Sequence, residues 1–227
     1  MHSALIMIPA YNESIMIGNV INSIPKKIKG IAKLDILVVD DGSIDRTYDI
    51  AKSKGIKVLK HVINRGLGGA LATAFEFAKL QKYDFMVTFD ADGQHDSRDI
   101  NKILRPLVDR EADVVIGSRM LFANSMPFLR KVINRISNII TYVLFNVWST
   151  DSQSGLRGFS LFALRKIRIR TQRMEVSSEI FKEISRNRLQ MKEVPTHSIY
   201  TNYSLTKGQR ISNAPNVFWK LLLNRFT

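Results

Sequence analysis

The feature that most constrains this chain is a rhythm in its first half. Short runs of β-branched and aromatic residues alternate with longer segments whose apolar residues recur every three or four positions. The runs are Ala4–Ile8, Asp35–Val39, Lys57–Lys60, Phe85–Phe89 and Val114–Gly117; between them lie Ser14–Ile24, Arg46–Lys54, Gly69–Lys79 and Arg98–Val108. Strand-like and helix-like stretches in alternation imply βαβ crossovers, whose right-handedness returns each strand parallel to the last. The expected fold class is α/β: a doubly wound, mostly parallel sheet with helices on both faces. Ser14 and Ser97 stand where helix N-caps are needed. With 227 residues and neither an internal repeat nor a linker, one domain is expected over 1–227. Ligands of such sheets collect beyond the carboxyl ends of the strands.

After Gly117 the rhythm changes. Leu129, Val132, Ile133, Ile136, Ile139, Ile140, Val143, Leu144 and Val147 step by three and four, which predicts an amphipathic helix. Its apolar stripe suits either the core or a membrane interface. A strand at Phe159–Ala163, a helix near Ser178–Ser185 and a strand at Gln190–Val194 are expected next. The tail is polar and basic over Tyr200–Arg210 and apolar nearly all round over Val217–Phe226.

Charge narrows the partners. Lys and Arg number 34 against 20 Asp and Glu, a net +14, and residues 151–227 hold 14 of the basic but only 5 of the acidic residues. Such an excess favours nucleic acid, a membrane surface or phosphorylated substrates. The absence of cysteine excludes disulfides and thiolate metal sites, so any metal must sit on oxygen or imidazole. No stretch reaches the ~18 apolar residues of a membrane span. Ala4–Ile8 passes at once into Pro-Ala-Tyr-Asn-Glu, which is not the pattern of a secretory leader.

The acidic residues gather at predicted strand ends. The first run closes in Pro9-Ala10-Tyr11-Asn12-Glu13 and the second in Asp40-Asp41-Gly42-Ser43. The fourth closes in Asp90-Ala91-Asp92-Gly93-Gln94-His95. Asp90 and Asp92 flank one residue, so both can turn toward one point where the strand ends. With the Gln94 carbonyl they make a hard-oxygen set suited to Mg²⁺ or Mn²⁺. His95 fits a structural or a functional role. Gly117-Ser118-Arg119 brings a guanidinium suited to a diphosphate to the same edge. Asn64–Ala70 is glycine-rich but matches neither the P-loop nor the dinucleotide fingerprint, which argues against a P-loop kinase and a dehydrogenase.

In this order, these segments resemble family 2 glycosyltransferases of the GT-A fold. Together with Asp151-Ser152-Gln153-Ser154-Gly155-Leu156-Arg157-Gly158-Phe159, they are most similar to the polyprenyl-phosphate branch, the dolichyl-phosphate mannose synthase type. The resemblance implies that residues 1–120 bind a nucleotide-sugar and residues 121–227 face the acceptor and the membrane. Pro9, Tyr11, Glu13, Asp40 and Asp41 would hold the nucleoside; Asp90, Asp92 and Gln94 would hold Mg²⁺ or Mn²⁺. Asp92, Arg119 and Arg130 would be the catalytic set, and Arg130, Asn134, Arg157 and Lys207 would meet the acceptor. Asn134 stands where relatives often carry serine. Mannose synthases commonly have an arginine after the last strand, whereas Tyr200–Ser204 offers none before Lys207 and Arg210. The donor is therefore left as a UDP- or GDP-hexose.

A polyprenyl phosphate is mostly dianionic at neutral pH and needs no general base, so single displacement with inversion is implied. Peripheral attachment to the cytoplasmic face of the membrane is expected. Two rivals stand beside this reading. A GT-A enzyme acting on a glycan or protein would need a carboxylate base, for which Asp151 and Glu179 are the candidates. A basic nucleic-acid-binding module would need a recognisable motif or aromatics interleaved with the basic residues, and the sequence has neither, so no nucleic-acid partner is expected.

Overall fold

A computed structural model describes residues 2–122 and 128–199, the side chains of 128–130 excepted. Strands and helices alternate through the first half: β1 (His2–Ala10), α1 (Ile17–Ser23), β2 (Ile31–Asp40), α2 (Thr47–Ser53), β3 (Lys57–Lys60), α3 (Gly66–Leu80), β4 (Phe85–Thr88), α4 (Ile100–Val108) and β5 (Val114–Ser118). Then come α5 (Phe128–Phe145), β6 (Arg157–Ser160), α6 (Leu161–Lys166), α7 (Val176–Arg186) and β7 (Met191–Pro195). The strands form one sheet in the order β3-β2-β1-β4-β6-β5-β7. Every pairing is parallel except those of β6, which runs antiparallel between β4 and β5. The predicted α/β, mostly parallel architecture is the one found.

β1 shows why the central strands read as continuous apolar runs. Ala4, Ile6 and Ile8 face a core layer with α1 and α4, while Leu5 and Met7 face one with α3, α6 and α7; all five are fully buried. A strand covered on both faces has no polar side to show.

The inserted strand differs from expectation. Instead of Phe159–Ala163, β6 ends at Ser160, whose side chain accepts from the Ala163 N–H (3.1 Å) and caps α6. Two further caps are corrected. Ser14 gives its N–H to Asp45 Oδ2 (3.1 Å), and α1 starts only at Ile17, where the Met16 and Ile17 N–H groups share the Glu13 carbonyl. Asp96, not Ser97, caps the 3₁₀ turn before α4 by accepting from the Arg98 N–H, while Ser97 Oγ donates to the Ser23 carbonyl.

The amphipathic helix forms as predicted, and part of its aliphatic stripe faces outward while amides face inward. Asn134, Asn138 and Thr141 are buried, whereas Ile136, Ile139 and Val143 are half or more exposed. Phe145 and Val147, at and beyond its end, pack on the core. No helix among the described residues is long and apolar enough to cross a membrane.

Candidate active site

The parallel strands deliver their carboxyl ends to one edge, and β6, running the other way, begins there. Thr88 of β4 therefore sits opposite Arg157, which sits opposite Ile116 of β5. All the predicted motifs within the described residues meet along this edge.

At its β1–β2 end, the loop after β1 is stitched to the turn after β2. The Asn12 N–H donates to Ser43 Oγ (2.9 Å), the Ile44 N–H to Asn12 Oδ1 (3.0 Å) and the Glu13 N–H to Thr47 Oγ1 (2.7 Å). Pro9, next to last in β1, pairs with Val39, and Tyr11 just beyond the strand is 45% exposed. The two aspartates divide their work. Asp40 is fully buried, accepts the Ser43 N–H (3.0 Å), and its Oδ2, which takes no hydrogen bond, forms a long ion pair with Lys60 Nζ (4.0 Å). Asp41 accepts the Arg65 and Gly66 N–H groups (2.9 and 2.6 Å) and lies 2.7 Å from His61 Nδ1. It thus fixes the start of α3, and His61, bridging to Thr73 (2.9 Å), is a residue the sequence did not flag.

The glycine-rich stretch has a packing reason. A Cβ at Gly68 would meet the Thr171 carbonyl oxygen at 2.0 Å, and one at Gly66, whose φ is +80°, the Gln172 oxygen at 2.6 Å. The loop is bare so that α3 can abut the backbone before α7.

Asp90 and Asp92 follow β4, near enough for the Asp90 charge to act on Asp92. His95, buried against Phe89, holds Asp90 Oδ2 through Nε2 (3.1 Å). Burial works against the Asp90 charge, but the His95 hydrogen bond, with Arg119 and Arg157 nearby, keeps its carboxyl below the usual range. Asp92 goes the other way: burial, the Asp90 charge and Glu13 push it up to about 6. An excess of negative charge at one point is what a hard divalent cation relieves, so the two-carboxylate donor set fits Mg²⁺ or Mn²⁺. Gln94 donates its backbone N–H (3.0 Å) and its side-chain amide nitrogen (2.6 Å) to Asp92, so it steadies that carboxylate. No group of three or more His, Asp or Glu among the described residues is arranged to enclose a metal ion, so the protein presents an open two-carboxylate edge.

The cationic end is built on Asp151. Arg119 Nε and Nη2 reach its two oxygens (2.7 and 2.9 Å), its backbone N–H adds a third bond (3.0 Å), and Asn134 Nδ2 donates a fourth (2.8 Å). Asp151 is fully buried; burial alone would raise its carboxyl, but the Arg119 guanidinium holds it low. The inward amides of α5 are thereby explained, since Asn138 also binds the Thr150 carbonyl (2.6 Å) and the Ser152 N–H (2.9 Å). Glu193 of β7 accepts from Ser149 Oγ and from both the N–H and Oγ1 of Thr150, which fixes the approach to Asp151. Neither candidate base is available as one: Asp151 is ion-paired, and Glu179 accepts the Arg170 and Thr171 N–H groups.

Arg157 faces inward. It is 3% exposed, donates to the Ser154 and Ser152 carbonyls (2.7 and 3.0 Å), and burial lowers its pKa to about 10 against the support of Asp90 and Asp151. It shapes the 152–154 turn from within and balances the carboxylates of Asp90 and Asp151, instead of opening to the edge as an acceptor contact. Arg130 lies in the first turn of α5 with its side chain outside the described residues, and Lys207 lies outside them altogether. After β7 the chain crosses the loop after β4: the Ile199 N–H donates to the Gln94 carbonyl (2.8 Å), and Asp99 accepts the His197 N–H (2.6 Å).

A model of glycosyl transferase family 2 matches residues 5–168. The chain belongs to that family. This glycosyltransferase is 41% identical over 225 residues to an uncharacterized protein of Methanocaldococcus jannaschii, covering 97% of its own length and 91% of the relative's. It is 37% identical over 241 residues to a Methanococcus voltae protein named UDP-N-acetylglucosamine–dolichyl-phosphate N-acetylglucosaminyltransferase, covering 96% and 94%. Among solved structures, glucosyl-3-phosphoglycerate synthase from Mycobacterium tuberculosis, crystallised with Mn²⁺, UDP and glucosyl-3-phosphoglycerate, superposes with a TM-score of 0.73. That match covers 99% of the glycosyltransferase and 80% of the other chain at 18% identity, a likeness of fold.

Proposed function

We propose that this glycosyltransferase moves a sugar from a UDP- or GDP-hexose onto polyprenyl phosphate in a single inverting displacement. The observation that carries the reading is the sheet edge itself: a carboxylate pair at Asp90 and Asp92, a guanidinium at Arg119, and beside them a helix with amides inward and aliphatics outward. The name of the Methanococcus voltae relative supports a uridine donor and a dolichyl-type acceptor.

In this reading residues 1–120 bind the donor. Pro9, Tyr11, Glu13 and Asp41 border the nucleoside, and buried Asp40 acts through the turn it holds. Asp90 and Asp92 hold Mg²⁺ or Mn²⁺, with Gln94 orienting Asp92; the ion, when bound, offsets the charge of the departing diphosphate. Residues 121–227 serve the acceptor, whose phosphate meets Arg130 and Lys207, while Arg119, its geometry set by Asn134 and Asp151, meets the donor diphosphate. The acceptor brings its own nucleophilic oxygen, since a phosphate monoester loses its second proton near pH 6. The occupied state of Asp151 and Glu179 supports a reaction without a side-chain base, and speaks against the glycan or protein acceptor.

The exposed Ile136, Ile139 and Val143 would lie in the membrane interface on the cytoplasmic side, peripherally bound. Incubation with labelled UDP-N-acetylglucosamine, UDP-glucose or GDP-mannose and a polyprenyl phosphate tests the proposal. Label should enter the organic phase only with the lipid phosphate and divalent ion present. Transfer to a soluble glycan with no lipid requirement would overturn it.

A further inference from the structure

Residues 165–173 form a cationic strip whose charges have no use in the site described above. Arg165, Lys166, Arg168, Arg170 and Arg173 are all exposed, and none forms an ion pair with a described carboxylate. Arg165 and Lys166 have a local reason, because they close the last turn of α6 where cations favour the helix dipole. Arg168, Arg170 and Arg173 have none.

The acidic residues that could neutralise them are engaged elsewhere. Glu183 accepts the Arg168 N–H (3.1 Å), and Glu179 accepts the N–H groups of Arg170 (3.0 Å) and Thr171 (2.9 Å) together with the Thr171 hydroxyl (2.6 Å). Both carboxylates bind backbone and leave the guanidinium groups of the same residues unneutralised. Ile167 is buried and Ile169 packs on the core, which anchors alternate residues and turns Arg168 and Arg170 outward. The strip is thus rigid in its backbone and unpaired in its charge, an arrangement that costs electrostatic free energy unless an anion meets it.

Its position indicates which anion. The strip ends at the carboxyl edge, where the Thr171 and Gln172 carbonyls lie against Gly68 and Gly66. Ile169 shares a core cluster with Phe145 and Val147 at the end of α5, and α7, which follows the strip in the chain, packs on α5. The large exposed aromatic just before the strip, Phe162, lies beneath Lys166 (5.7 Å), which gives no stacking platform for bases. We infer that Arg168, Arg170 and Arg173 form a docking strip for anionic phospholipid headgroups, holding the enzyme on charged membrane while α5 enters the interface. The inference rests on the lipid-acceptor reading above and adds the headgroup charge that the enzyme selects.

Flotation of the full chain with neutral phosphatidylcholine vesicles and with vesicles containing phosphatidylglycerol tests it, using the native protein, R168Q/R170Q/R173Q, and I139S/V143S. The native protein should partition more strongly onto the anionic vesicles. The triple variant should lose about a hundredfold of that preference, at about 1 kcal/mol per removed charge, while keeping its weak binding to neutral vesicles and its turnover of a short-chain acceptor in detergent. The native increment should also fall with salt, since the Debye length shrinks to about 8 Å at physiological ionic strength. Equal binding of native protein to both vesicle types, with I139S/V143S impaired on both, would overturn the strip and leave the α5 reading standing. Native protein that floats with neither would overturn both. Undiminished anionic binding by the triple variant, or an oligonucleotide gel shift that the triple variant abolishes without any vesicle binding, would overturn the strip as a lipid dock.

Discussion

Gly155 lies against the carboxylate of Asp90: a Cβ built on it would stand 2.0 Å from Asp90 Oδ2 and 2.4 Å from Oδ1. Two motifs separated by more than sixty residues are therefore one construction. Thr88 Oγ1 donates to the Gly155 carbonyl (2.6 Å) and accepts the Arg157 N–H (3.2 Å), tying the end of β4 to the start of β6. The bare Cα of Gly155 is the floor on which a candidate metal ligand rests.

Gly155→Ala should consequently spare the fold and damage the chemistry. What must give way is the Asp90 carboxylate as a whole, Cγ included at 2.5 Å, and since this is side chain and not backbone, thermal unfolding should change little. A displaced Asp90 should lower kcat on the order of a hundredfold, the usual cost of about an ångström of misplacement at a reacting centre. Turnover near the native value with a native melting temperature would show that Asp90 has room to spare.

Asp92→Ala tests the cation directly. Turnover should fall by a hundredfold or more, because electrostatic stabilisation of a leaving diphosphate is worth several kcal/mol. Calorimetry separates the causes: nucleoside diphosphate binding without Mn²⁺ should survive, and its enhancement by Mn²⁺ should vanish. Enhancement that persists in the variant would move the ion elsewhere.

Much of this was legible in the sequence because the first half is local in character. Each of the five early strands and its following helix is encoded within a few tens of residues, and the aspartates fall at strand ends that the alternation itself marks. What was hidden is non-local. β6 is a four-residue strand whose antiparallel place between β4 and β5 depends on both neighbours, so the inward turn of Arg157 and the role of Gly155 had no local signal. The polarity of α5 was hidden likewise. Its stripe of aliphatics satisfies the same spacing rule whether it points in or out, and the deciding partners, Asp151 and Thr150, lie beyond the helix. Asp151 was visible at the head of its segment, but its ion pair with Arg119 was not.

Asp151→Asn should destabilise the protein by about 3 kcal/mol, since it takes from the half-buried Arg119 guanidinium the carboxylate it pairs with. The double variant Asp151→Asn/Arg119→Met should recover part of that loss, because the orphaned charge is gone as well. Urea unfolding of the two single variants and the double variant closes the cycle. Strictly additive losses would show that the two side chains contribute independently.

The pH dependence of stability should carry the mark of Asp45. Burial raises its pKa, but the hydrogen bonds from Thr47 and Ser14 outweigh this and lower it to about 2, against 3.8 for the free side chain. A depressed carboxylate stabilises the fold above its unfolded pKa, and that contribution disappears as pH falls through the folded value. Asp45→Asn should therefore cost about 1 kcal/mol at pH 7, allowing for solvent screening. The gap to native protein should close between about pH 4 and pH 2. Denaturant unfolding at pH 7, 4 and 3 reads it directly, and a gap that does not change with pH would assign the effect to shape, not charge.

The inward amides and outward aliphatics of α5 predict an inversion of the ordinary rule for helix substitutions. Asn138 is buried and bonds both the Thr150 carbonyl and the Ser152 N–H, so Asn138→Leu removes two partners from buried backbone groups. Each unsatisfied group costs about 1–3 kcal/mol, and the gain from a larger apolar side chain does not offset that. Ile139, one residue on, is 51% exposed, and Ile139→Ser should change stability in water by less than about 0.5 kcal/mol. Membrane partitioning should respond in the opposite order, with Ile139→Ser weakened and Asn138→Leu unchanged wherever it remains folded. Chemical unfolding and vesicle flotation on the same two variants make the comparison. If Ile139→Ser were the more destabilised of the pair, the aliphatic face of α5 would have to be covered by protein.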